Sequence, residues 1–176
     1  MMKSKKTEDS RAHPLLTIEH PETADGPELW KLVAETEVLD RNSLYAYLLL
    51  GSHFSRTCIA AKSEGRLVGA VTGYLPPERA DTLFVWQVAV HADQRGKGLA
   101  SRMLDRLLER LARRGVRYLE TTVSPSNTAS VGMFRKLAAR WQAPLEVGPG
   151  FPGSLFRYQT HEAEPLYRIG PLGKFP

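Results

Sequence analysis

Arg95, Gly96, Lys97, Gly98, Leu99 and Ala100 stand where an unbroken apolar run, Leu83 to Val90, gives way to a helical pattern. A strand entering a helix through two closely spaced glycines aims several unpaired backbone N–H groups at one point. The positive end of the helix dipole adds to them. Such a turn suits a phosphate or pyrophosphate. The nucleotide-hydrolase loop is excluded, because its Gly-Lys-Ser/Thr ending is absent, and the three-glycine dinucleotide fingerprint is incomplete. On spacing alone, an ordinary strand-to-helix turn remains the competing reading.

A second chemically informative residue is Glu120. It shares one strand face with Tyr118 and Thr122, and a carboxylate inside an otherwise apolar sheet is costly unless it is paired or used. Asp40 stands between two helical patterns, where it could bind an amine or cap the following helix. Asn42 and Ser43 read as cap residues, and Tyr45 could reach the same cleft or pack. Phe84 and Trp86 are expected on one side of their strand, with Val88 and Val90 continuing that side. His161 and Glu162 follow a Gly/Pro-rich segment and could fold back over a site or stay on the surface.

Hydrophobic periodicity supplies the elements that must hold these residues. Leu15 to Pro21 alternates as a first strand, and a helix opens near Asp25 and Pro27. A second helix runs from about Ser43 to Gly51. Two strands then flank a Ser63-Glu64-Gly65 turn, and Pro76-Pro77 ends the second of them. Leu83 to Val90 is the next strand, followed by a helix with apolar residues at Leu99, Met103, Leu104, Leu107, Leu108 and Leu111 and a cap at Gly115. The strand Val116 to Val123 should lie parallel to the one before that helix. Ser126 or Asn127 caps a further helix whose inner side is Val131, Phe134, Leu137 and Ala138. Residues 144–152, with three prolines and two glycines, are expected as a loop, and 154–170 as one or two late strands. The order gives an α/β fold with a mixed sheet. One domain is expected over residues 15–170, between a disordered tail at 1–14 and a short C-terminal tail at 171–176.

Bulk properties narrow the function classes. No run approaches the ~20 apolar residues of a membrane span, and the N-terminus lacks the apolar core of a signal peptide. Cys58 is the single cysteine among 176 residues, cannot form an internal disulfide, and reads as a buried thiol in a reducing compartment. These features point to the cytoplasm and to no membrane partner. The formal net charge of +5 is spread over Lys3, Lys5 and Lys6 of the tail, Arg95 and Lys97, and an arginine stripe along one helix and its exit, where interleaved Asp105 and Glu109 favour a solvated face over a nucleic-acid surface. His13, His20, His53, His91 and His161 show no metal-ligand spacing, so no metal is expected.

Arg95 to Ala100 also fits the (Gln/Arg)-x-x-Gly-x-(Gly/Ala) signature of the GNAT N-acetyltransferases, placed as in that family between a central strand and a long helix. Asn127, Ser130, Met133, Phe134 and Lys136 resemble its second cofactor-contacting helix. The strings Leu39–Phe54, Gly73–Pro77, Asp81–Val90 and Leu119–Asn127 resemble a branch of the family that acetylates a short diamino acid. The resemblance implies the acyl-CoA N-acyltransferase fold, a mixed but mostly antiparallel sheet with helices on both faces. It also implies acetyl-CoA as co-substrate, a small diamine amino acid as acceptor, and a homodimer. Val88, Ala89, Val90, Arg95, Gly96, Lys97, Gly98, Leu99, Ala100, Asn127, Ser130 and Phe134 would then contact the cofactor. Asp40, Tyr45, Phe84, Trp86, Thr122 and Glu162 would contact the substrate. Glu120 is the first choice for the amine's proton, with Asp40 and His161 as alternatives or relay members. Many relatives carry a thiolate-protonating tyrosine where this chain has Phe134; either the thiolate leaves unassisted or Tyr45 or Tyr158 substitutes.

Overall fold

A seven-stranded sheet in the order β1-β2-β3-β4-β5-β7-β6 forms the centre of the computed structural model, which describes residues 15–36, 38–157 and 161–173. The expected tail at 1–14, Tyr158 and the last three residues lie outside that set. The strands are β1 (Leu16–Glu19), β2 (Ile59–Ser63), β3 (Arg66–Tyr74), β4 (Thr82–Val90), β5 (Tyr118–Thr122), β6 (Leu145–Phe151) and β7 (Glu164–Ile169). Every neighbouring pair is antiparallel except β4 and β5. That parallel pair is the strand-helix-strand unit expected from the sequence.

The helices are α1 (Gly26–Ala34), α2 (Leu44–Ser52), α3 (Leu99–Ala112) and α4 (Thr128–Arg140). Each follows its apolar stripe. The leucines of α3, with Met103, are buried against Val71, Leu83, Val85 and Leu119 on one face of the sheet, and Phe134 and Leu137 of α4 join them. The other face carries a smaller core in which Leu29, Leu32 and Val33 of α1 meet Tyr47 and Leu50 of α2 over Ala60, Ala70 and Ala89.

The structure departs from the sequence expectations at two places that matter for the site. Residues 144–152 are not a loop: most of them form β6, an edge strand bonded to β7 alone. Proline is tolerated on an edge because one side of the strand has no ladder to complete, and Pro149 falls where the β6–β7 register shifts. The 154–170 segment yields one strand among the described residues, Glu164–Ile169.

The second departure is in β4. Its pairing with β3 jumps from Thr72↔Gln87 to Gly73↔Val85, so Trp86 is an extra residue opposite nothing. An inserted residue reverses the alternation of faces downstream. Leu83 and Val85 therefore face α3, whereas beyond the bulge it is Val88 and Val90 that face it and Ala89 that joins the α1/α2 core. Phe84 and Val88 are thus on opposite faces, not on one side as alternation alone predicts.

Cys58 lies at the start of β2, about 1% exposed, and burial pushes its thiol up to about 11. Beside it, Arg110 of α3 donates to the carbonyls of Arg56 and Cys58 at 3.0 and 2.9 Å; burial draws its guanidinium down to about 10, still a cation at neutral pH. With only about one part in a thousand present as thiolate at pH 8, Cys58 should resist alkylation in the native protein. A thiol titration with a disulfide reagent should count none before denaturation and one afterwards.

Candidate active site

The sheet opens between β4 and β5. Their parallel pairing covers only Thr82↔Tyr118, Leu83↔Leu119 and Phe84↔Glu120, while β4 continues to Val90 along β3. His91 gives its N–H to the Val68 carbonyl on β3 at 2.9 Å. Backbone direction alternates along a strand, so Val88 and Val90 turn their N–H and C=O groups the other way, into the gap. Arg95 confirms that direction by donating Nε–H to the Val90 carbonyl at 3.2 Å.

Two cavities meet there. One, of about 660 Å³, is lined by Val88, Val90, Arg95, Ala100, Ser126, Asn127, Ser130 and Met133, on the side of α3 and α4. Gly96 and Gly98 hold left-handed backbone, φ +74 and +73, which glycine alone adopts without penalty. Gly98 is also the N-cap of α3, and no side chain caps that helix. Its first-turn N–H groups are therefore offered to the cavity, as an anion site requires. Lys97 is exposed, the Leu99 side chain is buried in the core, and Ala89 is turned away toward α1 and α2. Asn127 uses its side-chain oxygen to cap α4 through the Ser130 N–H at 3.1 Å, which leaves its amide N–H groups for the cavity.

The larger cavity, of about 910 Å³, begins on the opposite face and runs into the same gap. It brings together Asp40, Phe84, Trp86, Val88, Glu120, Thr122, Asn127, Ser130, Phe134 and His161, all singled out from sequence. Trp86, 44% exposed at the bulge, stands where the two faces join. Ser43 caps α2, and so Asp40 is not the cap; among the described residues no hydrogen bond uses its carboxylate. Two expected residues are set apart. Tyr45 is 67% exposed and outside the lining, and Glu162 is exposed and bonded to Ser126.

Glu120 is 1% exposed and paired with two arginines. Arg79 donates Nη1–H to both of its oxygens at 2.6 and 2.7 Å, and Arg168 of β7 bonds Oε1 while stacking 4.0 Å over the Tyr118 ring. Four lone-pair sites on the carboxylate receive three donors, which leaves one site on Oε2. His161 stacks on Phe156 at 4.1 Å and gives Nδ1–H to the Glu162 carbonyl at 2.7 Å. A carbonyl only accepts, so the neutral ring keeps Nε2 unprotonated, 3.6 Å from the Glu164 carboxylate. Glu164 also accepts the Thr122 hydroxyl at 2.6 Å.

Arg79, Arg168, Glu164 and Gln87 were not found from sequence. Arg79 sits in a turn and Glu164 on a strand expected only in outline. Gln87 sits mid-strand with no periodic signature, yet its buried amide donates to the Asp40 carbonyl at 2.7 Å and accepts from the Tyr47 hydroxyl at 3.1 Å. It ties the Asp40 segment to the wall of the cleft.

Residues 20–139 match the model of the Acetyltransferase (GNAT) family. The chain belongs to this family. The L-2,4-diaminobutyric acid acetyltransferase of Marinococcus halophilus is 44% identical to this acetyltransferase over 98% of the chain and 100% of its own length. That of Halalkalibacterium halodurans is 46% identical over 89% of the chain and 82% of its own. The diaminobutyrate acetyltransferase EctA of Paenibacillus lautus, solved with L-2,4-diaminobutyric acid and coenzyme A, superposes with a TM-score of 0.87 at 42% identity, covering 93% of this chain and 99% of that one. Ard1 of Thermoplasma volcanium shares the fold at 16% identity, TM-score 0.72. The acetyltransferase has the fold its GNAT signature implies, helices on both faces included. Replacing Gln87 by leucine would strip the buried Tyr47 hydroxyl and the Asp40 carbonyl of their partner. Urea unfolding should show a loss of roughly 1–3 kcal/mol, the cost of leaving such groups unsatisfied.

Proposed function

We propose that the protein transfers the acetyl group of acetyl-CoA to the 4-amino group of L-2,4-diaminobutyrate, giving N4-acetyl-L-2,4-diaminobutyrate and CoA, a step of ectoine biosynthesis and hence of protection against osmotic stress. The observation that carries this reading is the division of the cleft: a donor-rich, uncapped turn on one face and the carboxylates Asp40, Glu120 and Glu164 on the other, joined where β4 and β5 part. The first face suits a pyrophosphate and the second an ammonium-bearing substrate. The relatives named above, nearly full-length, support the choice of substrate.

In this reading the turn from Arg95 to Ala100 holds the pyrophosphate, and Asn127 and Ser130 flank the pantetheine arm as it enters the gap between the strands. The Val88 N–H polarises the thioester carbonyl and stabilises the oxyanion of the tetrahedral intermediate. An amine must be neutral to attack, and its ordinary pKa near 10 means a proton has to be removed. Glu120, held by two arginines, anchors the substrate's other ammonium on its one open lone pair. His161 takes the proton on Nε2, and Glu164 stabilises the imidazolium so formed. The N–C bond forms first to give the tetrahedral oxyanion, whose collapse restores the carbonyl and breaks the C–S bond, and the CoA thiolate, with a pKa of about 8.5, leaves unassisted. Phe134 cannot donate, and Tyr45 is set apart. The one domain is proposed to work in the cytoplasm as a homodimer, a reading supported by the exposed apolar residues Val147, Phe151 and Leu155 beside the sheet's open edge; no described helix is long and apolar enough to cross a membrane.

Thiol release from acetyl-CoA should be rapid with L-2,4-diaminobutyrate and negligible with lysine or a peptide; the reverse preference would end the substrate assignment. His161→Gln should lower kcat by about 10²- to 10⁴-fold with little change in KM, whereas retention of wild-type kcat would remove His161 from the proton path. Gly98→Ala places a Cβ in left-handed backbone at a cost of about 1 kcal/mol. It should raise KM for acetyl-CoA about fivefold and leave KM for the amine unchanged.

A further inference from the structure

Arg79 is the only arginine or lysine among the described residues lining the large cavity, against the carboxylates Asp40, Glu120 and Glu164. It stands in the turn between β3 and β4, which is held by its own N–H on the Pro76 carbonyl at 2.9 Å and its carbonyl on the Thr82 N–H at 3.0 Å. The backbone is therefore fixed while the side chain stays 48% exposed toward the cleft. Only Nη1 is engaged, on Glu120; among the described residues no hydrogen bond uses its Nε or Nη2.

Glu120 does not need this second cation. Arg168 already pairs with it from β7, held in place by its stacking on Tyr118. Two guanidinium groups meet this one carboxylate, so Arg79 keeps donors to spare at this end of the cleft. The Arg79–Glu120 pair lies opposite Phe84, three rungs of the β3 ladder from Val88 because Trp86 is bulged, or about 10 Å at roughly 3.3 Å per residue. With the reacting amine directed toward Val88, the end of the substrate bearing its acid points back toward Arg79.

We infer that Arg79 is the subsite for the substrate's α-carboxylate, its free Nε–H and Nη2–H edge forming a charge-assisted pair with the acid while Glu120 takes the adjacent α-ammonium. The pair Arg79–Glu120 then recognises the zwitterionic end of an α-amino acid and distinguishes a diamino acid from a plain diamine. This inference rests on the substrate reading above and adds the residue that enforces it. Arginine suits the task because its planar fork matches a carboxylate through two parallel donors.

The test compares L-2,4-diaminobutyrate with L-2,4-diaminobutanamide, which keeps both amines and lacks the anionic acid, in wild type, Arg79→Ala and Arg79→Lys. Arg79→Ala should raise KM for the acid about ten- to a hundredfold, the loss of one charge-assisted pair, change kcat less than about threefold, and leave KM for the amide unmoved. Arg79→Lys should recover part of the lost affinity for the acid alone. Equal losses on acid and amide would overturn the inference, since Arg79 would then act only by holding Glu120. An unchanged KM for the acid in Arg79→Ala would overturn it too. Should wild type fail to turn over the amide, the lysine variant decides: a KM for the acid no better than that of the alanine variant overturns the subsite. Absence of wild-type turnover on diaminobutyrate would sink the substrate reading, a result separate from each of these.

Discussion

A β-strand carries polar groups on both edges, and β4 satisfies only one of them beyond Phe84. Its ladder with β3 continues to Val90, but its ladder with β5 stops at the Phe84↔Glu120 pair. Unpaired N–H and C=O groups in the interior of a sheet are costly, and a fold retains them only where something else comes to meet them. Much of the site can be read as a consequence of that interruption. The two cavities exist because the strands part, α3 and α4 flank one side of the opening, and the segment bearing Asp40 flanks the other. In the proposed reaction the freed backbone of Val88 becomes the oxyanion donor, so the same unmet hydrogen-bonding capacity that weakens the sheet supplies the chemistry.

Electrostatics divides the opening into two halves. On the α3 side the field comes from aligned peptide dipoles and from Arg95, with no carboxylate among the described residues lining that cavity. On the other side, carboxylates predominate, and the most buried of them, Glu120, is stabilised by two arginines from different parts of the chain. A carboxylate this deeply buried would be prohibitive alone. Arg168 approaches along β7, a rigid neighbour in the sheet, while Arg79 approaches from a turn. The proton path proposed through His161 rests on a backbone carbonyl that sets the ring's tautomer and on the Glu164 carboxylate beyond Nε2.

Much of this was legible in the sequence, for identifiable reasons. The leucine stripe of α3, the Ser63 to Gly65 turn and the glycines before Leu99 each impose a local geometry that tertiary context did not override. Ten of the residues picked for their chemistry converge on the large cavity because β4, β5, α4 and the segments bearing Asp40 and His161 surround one opening. What escaped were features set by non-local partners. Residues 144–152 look like a loop because their prolines forbid a central strand, and only the sheet order reveals that the strand lies at an edge. Arg79, Arg168 and Gln87 carry no periodic signal, since each is defined by the residue it meets across 41, 48 or 47 positions of chain. The faces of β4 were misassigned because a bulge leaves no mark in an apolar run.

That bulge has an implication for how the chain can change. Trp86 shifts the reading frame of side chains along β4 by one, so the segment behaves as two half-strands phased oppositely around a single inserted residue. Substitutions in either half alter one contact at a time. Deleting Trp86 would instead restore continuous alternation. Val88 and Val90 would keep the α3 face and Gln87 and Ala89 the other, each with its present partner on β3, and only the bulge that carries the Trp86 ring would be lost. Both cores therefore tolerate the insertion without repacking, and what it adds is a single exposed ring, Trp86, at the junction of the two faces.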